Sequence, residues 1–352
     1  MLKIAIIGTT SWGMTLGVVL ARKELEVRLW ARTEEEASKL RGQGTASHLL
    51  PDITFPPQLK VTSSLSEALD RANAVILAMP SQTMRQNIKL VKGYLKESML
   101  IVSAAKGLEI GTGKRMSEVI AEEIRPHLQS NICVLSGPNL HKEILKGLPA
   151  SAVVAAEDEA IVRKAQRLLT APNYRVYTNH DVIGVELGGA LKNVIAIGAG
   201  MVDGLGYGDN AKAAFTSRGL TEMAALGVAL GASPLTLSGL AGLGDLIATC
   251  ASPLSRNHYV GVELVKGHQL NRITASMAGI AEGVNTTAAV WDIAQKLQLE
   301  MPITEKLYQV LHKGADARRV VAELLGAKGR HELAGRKWKL FSFFRRRRRP
   351  RS

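Results

Sequence analysis

Over its first half the chain repeats one pattern: a short run of apolar, mostly β-branched residues, then a longer segment with apolar residues at helical spacing. Residues 3–7, 26–30, 74–78, 99–103, 132–135 and 152–155 read as strands. Their near-continuous apolar character is that of strands covered on both faces. Strands that alternate with helices are joined by right-handed crossovers, which build a parallel sheet. Such a sheet receives ligands beyond the carboxyl ends of its strands, so the expected ligand loops follow Ile7, Trp30, Ala78 and Ser103.

After about Asp181 the strand-like runs stop, and Ala-, Gly- and Leu-rich segments with helical spacing replace them. At 352 residues the chain exceeds what one hydrophobic core usually organises. The fold expected is α/β: an N-terminal Rossmann-like doubly wound sheet over residues 1–180, followed by a mostly α-helical unit over 181–330. Residues 331–352 form a basic tail without apolar periodicity, expected to be disordered.

The net charge of +14 raises the question of nucleic acid or an anionic surface. From Lys328 onward eleven Lys and Arg face the single acid Glu332, so +10 lies there and only +4 remains for the rest. The body is nearly balanced, and no specific nucleic-acid partner is expected. Phe341, Phe343 and Phe344, followed by five arginines, fit either a solvated tail or a weak contact with an anionic membrane. Cys133 and Cys250 stand far apart, without the spacing of a zinc site or a disulfide framework. No export segment is read at the N-terminus, and the longest apolar stretch, residues 182–202, carries Glu186 and Lys192. A cytoplasmic protein is expected. Nothing in the residues fixes the assembly; a homodimer is the working expectation.

Gly8-Thr9-Thr10-Ser11-Trp12-Gly13 follows the first strand and opens a helix. That is where a dinucleotide fold turns helix N–H groups toward a pyrophosphate. Gly8, Ser11, Trp12 and Gly13 are the candidate contacts, although Thr10 replaces the middle glycine of the usual pattern. The alternative is a purely structural turn. At the end of the second strand stands Arg32, where an acid would favour NAD; an arginine favours a 2′-phosphate, as in NADP(H). Glu34, Glu35 and Glu36 weigh against added negative charge, so NAD(H) stays open.

The 182–202 segment is apolar all round except at Glu186, Lys192 and Asn193, as a buried helix is. Desolvation suits a lysine to exchange a proton with a carbonyl and alcohol pair; the alternative is a Lys192 paired with Glu186 or reaching the surface. Lys106 follows a buried strand, and Asp245 sits in a glycine-rich apolar stretch, as a substrate contact or a helix cap. Ser255, Arg256 and Asn257 bring a hydroxyl, a guanidinium and an amide to an expected helix start, which suits a phosphate or a capped surface helix. No cluster of His, Cys and carboxylates has metal-ligand spacing, and no metal is expected.

These motifs resemble those of NAD(P)-dependent glycerol-3-phosphate dehydrogenases of the bacterial type. The stretch from Glu186 to Val194 is similar to that family's catalytic-lysine helix, and the stretch from Gly239 to Asn257 to its substrate signature. Residues 103–108, 136–138 and 281–283 match further family motifs in order. The resemblance implies reversible reduction of dihydroxyacetone phosphate to sn-glycerol 3-phosphate for glycerophospholipid synthesis. It implies Lys192 as proton donor and acceptor, with Lys106, Gly137, Asn139, Asp245, Ser255, Arg256 and Asn257 on the substrate. It implies Ser11, Trp12, Arg32, Lys106, His141, Arg256, Ile280 and Glu282 along the cofactor. One loop departs: the family has a small hydroxyl residue and then Phe-Ala after Gly-Pro, whereas this chain has Asn139-Leu140-His141. Two other readings stand beside this one: a related two-domain dehydrogenase with another hydroxy substrate, and a non-catalytic protein that binds anionic surfaces.

Overall fold

The computed structural model describes residues 2–43, 45, 46, 50–277 and 279–326. In chain order its strands are β1 (Lys3–Ile7), β2 (Glu26–Trp30), β3 (Thr45–Ala46), β4 (Leu50–Thr54), β5 (Leu59–Thr62), β6 (Ala74–Leu77), β7 (Leu100–Ser103), β8 (Ile132–Ser136), β9 (Ala150–Ala155) and β10 (Tyr174–Asn179). Strands β3 and β4 pair only with each other; the rest form one sheet in the order β5-β2-β1-β6-β7-β8-β9-β10. After β1 the chain builds outward to β2 and β5, then returns to lay β6 on the other side of β1. That reversal between β1 and β6 opens a crevice at their carboxyl ends.

Period-two geometry explains why the strand runs are apolar throughout. Ile4 and Ile6 enter the core on one face, Ala5 and Ile7 the core on the other, and all four are fully buried. The expectation of a wholly parallel sheet needs one correction, because β9 runs antiparallel to β8. Residues 137–149 hold only the short His141–Leu145 helix and stay at the carboxyl end of the sheet. With no crossover, β9 starts where β8 stops and runs back. Strand β10 is parallel to β9, after the Glu159–Leu169 helix.

From Val182 onward every regular element among the described residues is helical. The Val182–Gly204 helix is the axis of this part: 89% of its most apolar window is buried, so a segment long enough to cross a membrane serves here as a core helix. The Arg256–Val265 helix crosses it at backbone contact. A Cβ on Gly200 would lie 2.0 Å from the His258 carbonyl oxygen, and one on Gly261 would lie 1.9 Å from that of Ile197. No side chain fits at either position, which is how this crossing brings the start of the second helix up to Asn193. The basic tail expected over residues 331–352 lies outside the described residues.

Candidate active site

The crevice between β1 and β6 continues into a cleft of about 380 Å³ walled on its far side by the helices. At its sheet end Gly8 has φ +117°, and a Cβ there would stand 2.8 Å from the Ala78 carbonyl oxygen. Only glycine lets the β1 turn lie against β6 in this way. Gly13 packs on the Gly8 carbonyl, and neither glycine lines the cleft itself. Thr10, the departure from the glycine pattern, is accommodated. It N-caps the Ser11–Ala21 helix by accepting from Gly13 N at 3.1 Å, and its hydroxyl donates to the Ala78 carbonyl at 2.6 Å. Ser11 and Trp12 then face the cleft at the start of that helix, where N–H groups suit a phosphate. The tight glycine turn and these N–H groups fit a dinucleotide.

Arg32 is exposed at the end of β2, with its guanidinium on Asn87 Oδ1 at 3.1 Å and its N–H on Glu36 Oε2 at 3.2 Å. The same Glu36 accepts the Thr9 hydroxyl, so a cation and an acid both stand beside the glycine turn.

The chemistry gathers on the helical side. Lys192 is 7% exposed, and its Nζ donates to Asp245 Oδ1 at 2.7 Å and to the Thr249 hydroxyl at 2.6 Å. Lys106, from the loop after β7, reaches Asp245 Oδ2 at 2.7 Å and the Gly137 carbonyl at 2.8 Å. Asp245 is buried beneath both ammonium groups, at hydrogen-bond distance from each, and does not itself line the cleft. Its place follows from the π-helical turn Leu240–Gly244, which carries it onto the axis helix at the start of Asp245–Ala251. Burial pulls Lys106 down to about 8, against the attraction of Asp245 and with added repulsion from Lys192.

Glu186 is not the partner of Lys192. Its carboxylate accepts Ser117 N at 2.8 Å, the Ser117 hydroxyl at 2.6 Å and Arg115 at 2.7 Å, tying the axis helix to the Met116–Glu123 helix.

Ser255, Arg256 and Asn257 line the opposite wall, at the start of the Arg256–Val265 helix. Ser255 N-caps its helix by accepting His258 N at 3.2 Å. Asn257 donates to Asn193 Oδ1 at 2.9 Å and accepts Gly283 N at 3.0 Å, so its amide locks three helices together. Burial lowers the pKa of Arg256, with Glu282 opposing. Glu282, raised by burial, accepts Ser81 N at 2.9 Å and the Ser81 hydroxyl across 201 residues of chain. Ile280 and Asn139 also face the cleft. So does His141, whose imidazole is pushed down to about 4, first by burial and then by Arg256 and Lys142, leaving it uncharged at neutral pH. Gly137 and Arg32 are set back from the cleft. Thr249 and Ser81 were not foreseen. Thr249 had a signal, since it falls four residues after Asp245 on one helix face; Ser81 had none.

A dinucleotide crevice that opens onto a buried lysine, a carboxylate beneath it and an arginine opposite defines a nicotinamide-dependent dehydrogenase built from two parts. Residues 3–162 match the model of the NAD-dependent glycerol-3-phosphate dehydrogenase N-terminus, and residues 181–322 match that of its C-terminus. The chain belongs to the family of NAD-dependent glycerol-3-phosphate dehydrogenases. It is 60% identical over 349 residues to the glycerol-3-phosphate dehydrogenase [NAD(P)+] of Dehalococcoides mccartyi, covering 99% of this chain and 97% of that one. The enzyme of the same name from Geobacter sulfurreducens is 45% identical, with 92% and 96% covered. The crystal structure of glycerol-3-phosphate dehydrogenase from Coxiella burnetii superposes with a TM-score of 0.87 at 36% identity, covering 92% of this chain and 98% of that one.

Proposed function

We propose that the chain interconverts dihydroxyacetone phosphate and sn-glycerol 3-phosphate, with Lys192 exchanging the proton at the substrate oxygen. The observation that carries this reading is the Lys192–Asp245 contact of 2.7 Å, at one wall of a cleft whose other walls hold Arg256 and the Ser11–Ala21 helix start. The nicotinamide cofactor supplies or accepts the hydride at the substrate carbon. Lys192 stabilises the developing alkoxide and protonates it, while Asp245 fixes its direction. Ser255, Arg256 and Asn257 grip the phosphate, Lys106 and Asn139 close the substrate wall, and Gly137 and Asp245 stand behind that wall and hold Lys106. Gly8, Ser11, Trp12, Gly13 and Arg32 hold the dinucleotide at the sheet; Lys106, His141, Arg256, Ile280 and Glu282 meet its nicotinamide end. In this reading residues 1–180 are the cofactor unit and 181–330 the catalytic unit.

The test is oxidation of NADPH, and separately of NADH, on addition of dihydroxyacetone phosphate. The absence of turnover with either, in folded protein, overturns the proposal. Comparing cofactors weighs Arg32 against Glu36. Arg32→Ala should raise KM for NADPH about tenfold, the size of one charge-assisted contact, and leave KM for NADH nearly unchanged. Equal rises for both cofactors would remove Arg32 from a 2′-phosphate.

Lys106 supplies a pH signature. With a value of about 8 it is charged below that pH and neutral above it, so kcat/KM for the anionic substrate should fall as pH rises through 8. Lys106→Arg keeps its charge and should lack that alkaline limb; a limb that persists in the variant belongs to another group.

A cytoplasmic homodimer is part of the proposal, supported by the reduced, widely separated cysteines and by the exposed apolar side chains of Leu235 and Ile247. The tail's excess of arginine supports loose contact with anionic lipid. Full-length protein should co-sediment with anionic liposomes more than a version ending at Lys339; equal binding removes that contact.

A further inference from the structure

The loop that departs from the family pattern, Asn139-Leu140-His141, has a counterpart deep in the cofactor unit. Asn139 lines the cleft, yet its Oδ1 and Nδ2 are buried and make no hydrogen bond with the described residues. The hydroxyl of Tyr174, the first residue of β10, is in the same state, and the side chain is 1% exposed. Trp12, whose indole N–H is a third unpaired donor, stands edge-on to the Tyr174 ring at 6.3 Å between centroids. Asn139 lies close enough to Tyr174 to offset part of the upward push that burial exerts on the phenol, although the two fall short of good hydrogen-bond geometry.

Buried polar atoms are rarely left unpaired, because each one costs about 1–3 kcal/mol. A phenol in the sheet core would be better replaced by phenylalanine unless its hydroxyl has a task. An amide facing a cleft has a task only if its orientation is fixed, since its oxygen accepts and its nitrogen donates. Asn139 has the cleft on one side and Tyr174 on the other.

We propose that Tyr174 is a positioning residue for substrate specificity: its hydroxyl donates to Asn139 Oδ1 and so presents Asn139 Nδ2 to an oxygen of the phosphorylated substrate. This rests on the reading that the 137–139 loop forms the substrate wall. A small rotation of the Asn139 side chain completes the bond when substrate binds. Tyr174 makes no contact with the substrate, and it acts only through Asn139. The larger amide and the buried phenol thus form one unit, replacing the short hydroxyl residue the family usually has at this position.

The experiment is steady-state kinetics on the full chain for wild type, Tyr174→Phe, Asn139→Ser and the double variant, with thermal unfolding of each. Tyr174→Phe should raise KM for dihydroxyacetone phosphate about fivefold, the size of one neutral hydrogen bond, by more than any fall in kcat and with KM for NADPH unmoved. Asn139→Ser should raise KM as well, and adding Tyr174→Phe to it should change nothing further. Tm should stay level or rise in Tyr174→Phe, since an unpaired hydroxyl is removed from the core. A Tyr174→Phe that leaves KM unchanged, or that raises it equally in the Asn139→Ser background, overturns the proposal. So does a KM rise shared by NADPH and accompanied by a lower Tm. If Asn139→Ser is itself silent in an active enzyme, the loop is not the substrate wall. If Asn139→Ser raises KM and Tyr174→Phe does not, that wall stands and Tyr174 has no part in it.

Discussion

Lys192→Ala should lower kcat for reduction of dihydroxyacetone phosphate by about 10³-fold, within the usual span for loss of a positioned proton donor. The ammonium is held at 2.7 Å by Asp245 and at 2.6 Å by Thr249 and lines the cleft, so its remaining N–H is left for the substrate oxygen that the proposed function places there. NADPH affinity, followed by quenching of protein fluorescence, should be nearly unchanged, because Trp12 and the glycine turn lie across the cleft. A variant that keeps a tenth or more of wild-type kcat would show that the proton travels by another route.

Asp245→Asn should cost about 3 kcal/mol of stability, read by chemical unfolding, and about 10² in kcat. The wild-type carboxylate lies within 2.7 Å of two ammonium groups, and it is 1% exposed. Replacing it with a neutral amide leaves two cations facing each other where water barely enters. Breaking a buried pair in this way leaves uncompensated charge, and here it leaves two such charges. Lys106, already pulled down to about 8 by burial, loses its proton as pH rises and so relieves the repulsion, and the stability deficit should narrow as pH rises and widen as it falls. A deficit that stays constant between pH 6 and 10 would mean that Asp245 acts by packing and not by charge.

Much of this site could be read one residue at a time. The apolar segment around Lys192 had to be a buried helix, and a buried lysine asks for a reason. The glycine turn after β1 and the Ser255-Arg256-Asn257 step at a helix start both follow from backbone physics, one through positive φ and the other through capping. The partner of Lys192 could not be read this way. Glu186 is the nearest acid along the helix, but six residues at 100° each set it about 120° around the axis. That turn aims it at Ser117 and Arg115, while Asp245 arrives from 53 residues away. Nor could the nearness of Tyr174 to Asn139, on which the proposed positioning role rests, be read, since it depends on β10 lying at the sheet edge beside β9.

Local periodicity and residue chemistry determined by themselves that this chain forms a doubly wound sheet, that a helical part follows, and that a lysine stands in an apolar helix of that part. These properties are repeated within a few residues, where dihedral preference and burial act directly. Only the tertiary structure decided that β9 reverses, that Asp245 lies beneath both lysines, and that Ser81 meets Glu282. Each of these depends on which end of a strand a connection returns to and on how closely glycine-lined helices cross, and such distances are set by packing among residues far apart in the chain.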